Sequence, residues 1–374
     1  MKSREAPFDK RKIAGGTSSA EFDPRPEIRI AGRKIGPAHP PYIVAELSGN
    51  HNGEFARAIE LMNAAKEAGA DAVKLQTYTA DTITIDHDGP GFVIEDGLWN
   101  GRTLYDLYQE AHTPWEWHEA LFSHAKAIGI TIFSAPFDPT AVAFLKTLDA
   151  PAYKVASFEM IDLPLVEQIA SLHHPTIIST GMATLQEIED AVTAARSQGL
   201  QEIALLHCVS GYPTPAGDAN LRTIPDLAGR FGLVTGLSDH TLTTAVAVAA
   251  VSLGASIVEK HVTLRRADGG PDAAFSLEPA ELARLVSDCR TAWEALGDAG
   301  YALKDSEKGN LMYRRSLYAV RDIAKGEILT DLNVRSIRPG FGLPPKMLPA
   351  VLGCRAAQKI SRGTPLDWSL VGGK

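Results

Sequence analysis

From residue 42 to about residue 296, short runs of apolar and β-branched residues alternate with longer stretches in which apolar residues recur at helical spacing. This alternation predicts parallel strands joined by crossover helices. We count eight strand and helix pairs. The predicted strands are residues 42–47, 72–77, 131–135, 152–157, 176–180, 203–208, 233–237 and 256–261, and the predicted helices include residues 54–68, 115–128 and 185–198.

Eight such units in one domain predict a closed (β/α)8 barrel, the TIM-barrel architecture. Gly69, Gly129, Gly199 and Gly254 follow predicted helices, at the position where a left-handed residue commonly ends a helix. A doubly wound open sheet is the alternative fold. No glycine-rich phosphate turn follows the first strand, and the number of units favours the closed barrel.

The pattern changes after residue 297 and divides the chain into domains. We expect a barrel domain at residues 41–297, a polar linker at 298–312 and a small domain at 313–374. Residues 322–329 resemble residues 359–366, which predicts a β-rich fold with internal pseudo-symmetry. Residues 1–40 lack a continuous apolar segment, so we expect a flexible lead-in without a secretory signal.

Composition excludes several classes of function. The 374 residues carry a net charge of −8 without a basic stripe, so a nucleic-acid partner is not expected. The most apolar stretch, residues 243–254, is shorter than the roughly 20 residues of a membrane span, so no membrane partner is expected either. The three cysteines, Cys208, Cys289 and Cys354, are odd in number and widely spaced. They predict neither a disulfide framework nor a thiolate zinc site, and they favour the cytoplasm.

The stretch between the second predicted strand and its helix, residues 78–114, is unusually long and rich in aromatic residues. Long loops in compact domains usually serve binding. The alternative is that the segment only covers the barrel.

Polar side chains accumulate where the predicted strands end, and the ends of barrel strands supply the reacting groups of such enzymes. Lys74 and Lys154 offer ammonium groups there. Ser157, Ser179 and Ser238 offer hydroxyl groups. Together these donors suit a desolvated phosphate. Structural ion pairs of the two lysines with Glu46 or Glu159 are the alternative interpretation.

His240 and His261 end the seventh and eighth predicted strands, which are neighbours in a closed barrel. Two imidazoles there could bind one divalent ion and leave positions open for substrate and water. Hydrogen-bonded core histidines are the alternative. Glu46, Glu259 and Asp272 could orient a ligand or a bound water. We interpret the other histidines of the helices and loops as surface or packing residues: His112, His118, His124, His173 and His174.

With these residues in place, the chain resembles the nonulosonic (sialic) acid synthase family from residue 42 to the C-terminus. The matching strings are AELSGNH at 45–51, KLQT at 74–77, YKVAS at 153–157, STGM at 179–182, GLSDH at 236–240 and EKH at 259–261. The order and number of these strings make a coincidence implausible.

The resemblance implies a barrel fused to an antifreeze-like (SAF, β-clip) domain in a domain-swapped homodimer. It implies phosphoenolpyruvate and an amino-sugar aldehyde as substrates and a divalent metal, usually Mn²⁺ with Mg²⁺ or Co²⁺ as alternatives, on His240 and His261. Arg338 would reach the sugar's N-acyl group in the partner's site. The expected catalytic residues are Glu46, Lys74, Lys154, Glu159 and Glu259. The expected substrate contacts are Gln76, Ser157, Ser179, Tyr212, Ser238, Asp272 and Arg338.

Within the family, the strings QTYT at 76–79, GLW at 97–99, LYDLY at 104–108, TPWEWH at 113–118 and RPGFGL at 338–343 resemble the pseudaminic acid branch. The implied sugar is 2,4-diacetamido-2,4,6-trideoxy-L-altrose. The neuraminate and legionaminate branches are the alternatives, followed by a pyruvate aldolase and by an ice- or carbohydrate-binding protein. A binding protein would not need the lysines and histidines of the barrel mouth. Ala135 and Ser210 depart from the family pattern, which leaves one phosphate or carboxylate donor open, and we assign neither residue a role.

Overall fold

A computed structural model describes residues 26–374, and the chain divides into two compact units. The first unit ends at Gly297 and the second runs from Asp298 to Lys374. The first unit contains a closed eight-stranded parallel barrel, so the predicted (β/α)8 fold is confirmed and the open sheet is excluded. The barrel strands are β3 (Tyr42–Glu46), β4 (Ala72–Thr77), β5 (Thr131–Pro136), β6 (Tyr153–Val155), β7 (Thr176–Ser179), β8 (Ile203–Cys208), β9 (Val234–Asp239) and β10 (Ile257–His261).

Every barrel strand is followed by at least one helix. The helices are α1 (Phe55–Glu67), α2 (Ala80–Ile83), α3 (Leu104–Ala111), α4 (His118–Ile128), α5 (Pro139–Thr147), α6 (Leu163–Ala170), α7 (Leu185–Ser197), α8 (Thr223–Phe231), α9 (Thr244–Ser252) and α10 (Pro279–Leu296). Their apolar faces pack on the outer faces of the strands in two large clusters. The glycines at residues 69, 129, 199 and 254 all have positive φ, as their positions after helices predicted.

Closure of the barrel is achieved by β10, which pairs in parallel with both β3 and β9. His261 is aligned with Glu46 across one of these pairings, and Glu259 is aligned with Ser238 across the other. Parallel register therefore places the polar ends of the first, last and next-to-last barrel strands at one mouth.

A hairpin precedes the barrel, and it corrects part of the expected flexible lead-in. Strands β1 (Ile28–Ile30) and β2 (Arg33–Ile35) pair antiparallel. Ile28, Ile30 and Ile35 are buried in one cluster with residues of the barrel interior such as Phe133. Burial of these three side chains holds the hairpin in place, because exposing them would cost about 1.5–3 kcal/mol each. The rest of the lead-in, residues 1–25, lies outside the described residues.

Among residues 26–374, no helix combines the length and apolarity needed to cross a lipid bilayer. Cys208, Cys289 and Cys354 are all buried and free.

The second unit begins with an exposed stretch that includes a 3₁₀ helix, Asp305–Tyr313. It then forms β11 (Ser316–Ala319), β12 (Val334–Ile337) and α11 (Leu348–Val351) around its own apolar core. The two segments predicted to be related pair with each other through Ile323 and Ile360. Gly326 and Gly363 occupy equivalent left-handed turns with φ of 83° and 85°. The structure thus supports the predicted internal pseudo-symmetry.

Candidate active site

A cavity of about 570 Å³ opens at the carboxyl ends of the barrel strands. Strand ends position its polar residues, because a parallel barrel directs the residues after each strand to the same mouth. Glu46 is fully buried next to the cavity, and its carboxylate accepts a hydrogen bond from Gln76, which lines the cavity. The remaining predicted residues of the first unit all line the cavity: Lys74, Gln76, Lys154, Ser157, Glu159, Ser179, Tyr212, Ser238, His240, Glu259, His261 and Asp272.

Lys74 lies between two buried carboxylates at the cavity wall. Its Nζ is 2.5 Å from Glu46 Oε2 and 3.5 Å from Glu259 Oε1, with all three side chains at most 6% exposed. Burial lowers the pKa of Lys74, but the Glu259 and Glu46 carboxylates outweigh it and hold that pKa above its ordinary value. Burial raises the pKa of Glu46. The structural ion pair considered from the sequence therefore exists, and its cation also faces the cavity.

Lys154 supplies the second ammonium group. Its Nζ donates hydrogen bonds to Ser179 Oγ at 2.7 Å and to the Val155 carbonyl at 2.8 Å. The side chain is 1% exposed, and burial lowers the pKa of Lys154. No carboxylate lies within ion-pair distance of it among the described residues. An anion entering the cavity would meet a buried cation that a protein carboxylate does not already neutralise.

Glu159 lies on the loop after β6, close to Lys154 in sequence. Its Oε2 is buried without a hydrogen-bond partner among the described residues. Burial raises the pKa of Glu159 to about 7. Such a carboxyl exchanges a proton near neutral pH, which suits a general acid or base.

His240 and His261 face each other with ring centroids 5.4 Å apart and planes at 54°. Nδ1 of His240 donates to the Val209 carbonyl at 3.0 Å, so Nε2 carries the lone pair when the ring is neutral. Nδ1 of His261 is buried without a hydrogen-bond partner in the described part of the chain; the nearest carboxylate oxygen, on Asp272, is 3.9 Å away. Burial lowers the pKa of His261 well below its ordinary value, so its ring is neutral.

The pair is a candidate site for one divalent ion. Imidazole nitrogens bind such ions at about 2.0–2.1 Å, a distance that two facing rings at this separation can satisfy. No cluster of three or more His, Cys, Asp or Glu side chains arranged for a metal occurs within residues 26–374. A bound ion would thus have two protein ligands and several open coordination positions, as expected for a catalytic rather than a structural site.

A buried ion pair holds the segment that carries His240. Lys260 Nζ donates to Asp239 Oδ2 at 2.8 Å and contacts the Thr241 carbonyl oxygen. Asp239 Oδ1 accepts the Thr241 backbone N–H at 2.9 Å. Both side chains of the pair are at most 1% exposed. The residues on either side of His240 are therefore fixed to β10, which also carries His261.

Aromatic rings cover the imidazole pair. Tyr212 lies 4.5 Å from the His240 ring, Phe275 lies 5.0 Å from the His261 ring, and Trp99 contacts both Tyr212 and Phe275. Tyr212 was expected as a substrate contact. Phe275 was missed, because it sits in a loop with no periodic pattern and its neighbours in space are remote in sequence.

Four other residues named in the sequence analysis do not line the cavity. Arg338 is exposed and follows β12 in the second unit. Ala135 is fully buried in β5 and does not line the cavity. Ser210 Oγ is buried without a hydrogen-bond partner within the described residues and lies outside the cavity lining. His118 is a packing residue, hydrogen-bonded to Thr77 at 2.8 Å.

Comparison with known proteins adds a family match. The NeuB family model matches residues 61–301 and the SAF domain model matches residues 314–372. Pseudaminic acid synthase from Campylobacter jejuni subsp. jejuni is 43% identical over 328 residues, 88% of this chain and 96% of the relative. Pseudaminic acid synthase from Helicobacter pylori is 43% identical over 330 residues, covering 88% and 97%.

Among solved structures, the N-acetylneuraminic acid synthetase of Leptospira borgpetersenii is similar with a TM-score of 0.68 at 32% identity. The match covers 77% of this chain and 96% of that chain.

Proposed function

Because the chain belongs to the NeuB family, we propose that it condenses phosphoenolpyruvate with 2,4-diacetamido-2,4,6-trideoxy-L-altrose, giving pseudaminic acid and phosphate. Similarity to the pseudaminic acid synthases of Campylobacter jejuni and Helicobacter pylori supports this branch. The observation that carries the proposal is the convergence of two buried ammonium groups and two facing imidazoles on one cavity.

Phosphoenolpyruvate binds through Lys154, Lys74, Ser179 and Ser238. Lys154 already donates to Ser179, so a phosphate oxygen would complete its hydrogen bonds. Charge-assisted bonds of this kind are about twice as strong as neutral ones, and the buried setting increases the benefit.

In the reaction, C3 of phosphoenolpyruvate attacks the sugar's aldehyde carbon and a carbon–carbon bond forms. Positive character develops at C2, where a water molecule adds. The C2–O bond to the phosphate then breaks, and phosphate leaves with the bridging oxygen. Lys74 and Lys154 stabilise the leaving phosphate, and Glu159, whose pKa is about 7, exchanges a proton with the sugar oxygen or the attacking water.

His240 and His261 would hold a divalent metal, with Mn²⁺ as our choice. When bound, such an ion supplies Lewis-acid polarisation of a carbonyl oxygen. The orphaned Nδ1 of His261 supports this assignment, because a buried polar atom without a partner otherwise costs about 1–3 kcal/mol. Replacing both histidines by alanine should abolish metal binding in titrations followed by Mn²⁺ electron paramagnetic resonance; undiminished binding would remove the assignment.

We further propose a domain-swapped homodimer acting in the cytoplasm. The resemblance of residues 314–372 to SAF domains supports the domain-swapped homodimer. The three free cysteines support the cytoplasm.

Complementation between two variants tests the domain swap. The His240→Ala/His261→Ala variant and the Arg338→Ala variant are each expected to be inactive or weak alone. They should regain activity when they are refolded together, if the sites are shared between subunits. No gain above the separate activities would contradict sharing.

One assay tests the function itself. Purified protein is given phosphoenolpyruvate, Mn²⁺ and each of three sugars: the proposed diacetamido sugar, its legionaminate-branch counterpart and N-acetylmannosamine. Phosphate release and product mass are followed together. Turnover confined to the proposed sugar supports the pseudaminic branch. Preference for another sugar reassigns the branch, and phosphate-independent aldol formation with pyruvate would overturn the reaction type.

A further inference from the structure

The cavity has a second face that the proposed chemistry does not use. The segment between β4 and α4 contributes eight lining residues, and we call six of them the apolar wall: Ile83, Ile94, Trp99, Leu104, Leu107 and Tyr108. The same segment carries eight acidic residues, at positions 81, 86, 88, 95, 96, 106, 110 and 116, and none of them lines the cavity. The segment therefore presents only apolar and aromatic side chains to the site.

The wall is held in a defined position. Residues 92–104 form a short hairpin, with Ile94 N donating to Arg102 O at 2.9 Å and Gly101 N donating to Ile94 O at 2.7 Å. The hairpin tip is fixed across the mouth, because Trp99 Nε1 donates to the Pro271 carbonyl at 2.8 Å. Thr103 caps α3 by accepting the Asp106 N–H. Because hydrogen bonds hold both the hairpin tip and the start of α3, the wall has a fixed shape for selecting a ligand.

The side chains of the wall offer little to a hydroxyl group. The Trp99 N–H is already bonded to Pro271, and the Tyr108 hydroxyl is the only other polar group that the six side chains possess. A ligand hydroxyl pressed against the remaining surface would lose its hydrogen bonds to water and gain none. A methyl group in the same place would gain contact and lose nothing.

We infer that the apolar wall is the specificity subsite for the methyl groups of the sugar, and above all for the methyl that replaces a hydroxymethyl in 6-deoxy sugars. This inference rests on the proposed function, which places the sugar in this cavity. The lysines and serines at the strand ends are proposed to hold the anionic donor, so the apolar wall is the part of the cavity lining left for the acceptor's apolar substituents. The wall accordingly selects the sugar while the strand ends carry out the reaction.

The test compares kcat/KM for the 6-deoxy diacetamido sugar and for its 6-hydroxy analogue. One methyl in an apolar pocket changes kcat/KM by about 10- to 200-fold, and an added hydroxyl is rejected by up to about 100-fold. We expect the wild-type protein to prefer the 6-deoxy sugar by at least about 10-fold. Ile94→Asn should reduce that ratio towards unity with an unchanged KM for phosphoenolpyruvate.

Ile85→Asn is the matched control. Ile85 belongs to the same segment, is 59% exposed and does not line the cavity, so the sugar ratio should stay at the wild-type value. Leu104→Asn is the second wall variant if Ile94→Asn does not fold, as judged by its thermal transition. An unchanged ratio in the folded wall variants, or equal effects of Ile85→Asn, would overturn the inference. Absence of turnover of either sugar by the wild-type protein would instead show that the proposed function itself has failed.

Discussion

Lys74 forms buried ion pairs and is also proposed to bind the phosphate, and mutation can separate the structural role from the proposed chemical one. Its ammonium group neutralises Glu46 and Glu259 in a setting where the three side chains are at most 6% exposed. Replacement by methionine keeps most of the side-chain volume and removes the charge. Removing one partner of a buried ion pair typically destabilises a protein by about 3–5 kcal/mol, because a charge stays buried without compensation.

The loss of stability in Lys74→Met should depend on pH. Burial already raises the pKa of Glu46, and removal of Lys74 raises that pKa further. A carboxyl whose folded pKa is raised contributes its full stability below its unfolded pKa of about 4.3, and this contribution is lost as the pH rises through the folded value. Urea unfolding of Lys74→Met should therefore show the full deficit at pH 8 and a smaller one at pH 5.

The double variant Lys74→Met/Glu46→Gln separates the two roles. The Glu46→Gln change would remove one uncompensated charge, so we expect about 2 kcal/mol of the lost stability to return at pH 8. Activity should stay at least about 100-fold below that of Glu46→Gln alone, which lacks the same carboxylate, because an ammonium group at the phosphate is still missing. Wild-type stability of Lys74→Met at pH 8 would refute the electrostatic argument. Recovery of turnover with stability in the double variant would show that Lys74 is only structural.

Three further predictions concern Glu159, Lys260 and Arg338. Glu159→Gln should flatten the pH dependence of stability. Because the pKa of Glu159 is about 7 against an ordinary 4.5, its contribution to the unfolding free energy of the wild type falls by about 3 kcal/mol between pH 4.5 and 8. Urea titrations that show the same pH dependence for the variant and the wild type would contradict this prediction. Lys260→Met should weaken Mn²⁺ binding about 10- to 100-fold by loosening the His240 segment, whereas exposed Arg284→Met should leave it unchanged in the same titration. Arg338→Ala should raise the KM of the sugar more than the KM of phosphoenolpyruvate; equal increases in both would argue against a sugar contact.

The barrel and most of the site were predictable because both follow from periodicity. A parallel strand fixes which end of it carries the next polar residues, so Lys74, Lys154, His240 and His261 could be assigned to one mouth from their positions alone. The hairpin at β1 and β2 was missed, although Ile28 and Ile30 alternate with polar residues. Its strands are only three residues long, and the sequence does not indicate that they pack against the barrel.

The apolar wall could be anticipated only as a long loop. Loop residues have no repeating geometry, so the sequence does not distinguish Ile94, which lines the cavity, from Ile85, which is 59% exposed. The Lys260 pair with Asp239 was missed for a different reason. Adjacent strand residues alternate in direction, and Lys260 points away from the mouth to which Glu259 and His261 contribute.

In the proposed reaction, this cavity brings phosphoenolpyruvate and an aldehyde together, and the bond between C2 and the bridging oxygen is cleaved. Phosphoenolpyruvate labelled with ¹⁸O at the bridging position tests this most directly, using the proposed sugar and Mn²⁺ and mass analysis of both products. We expect all of the label to leave in the phosphate and the new keto acid to take its oxygen from water. Label retained in the keto acid would contradict it.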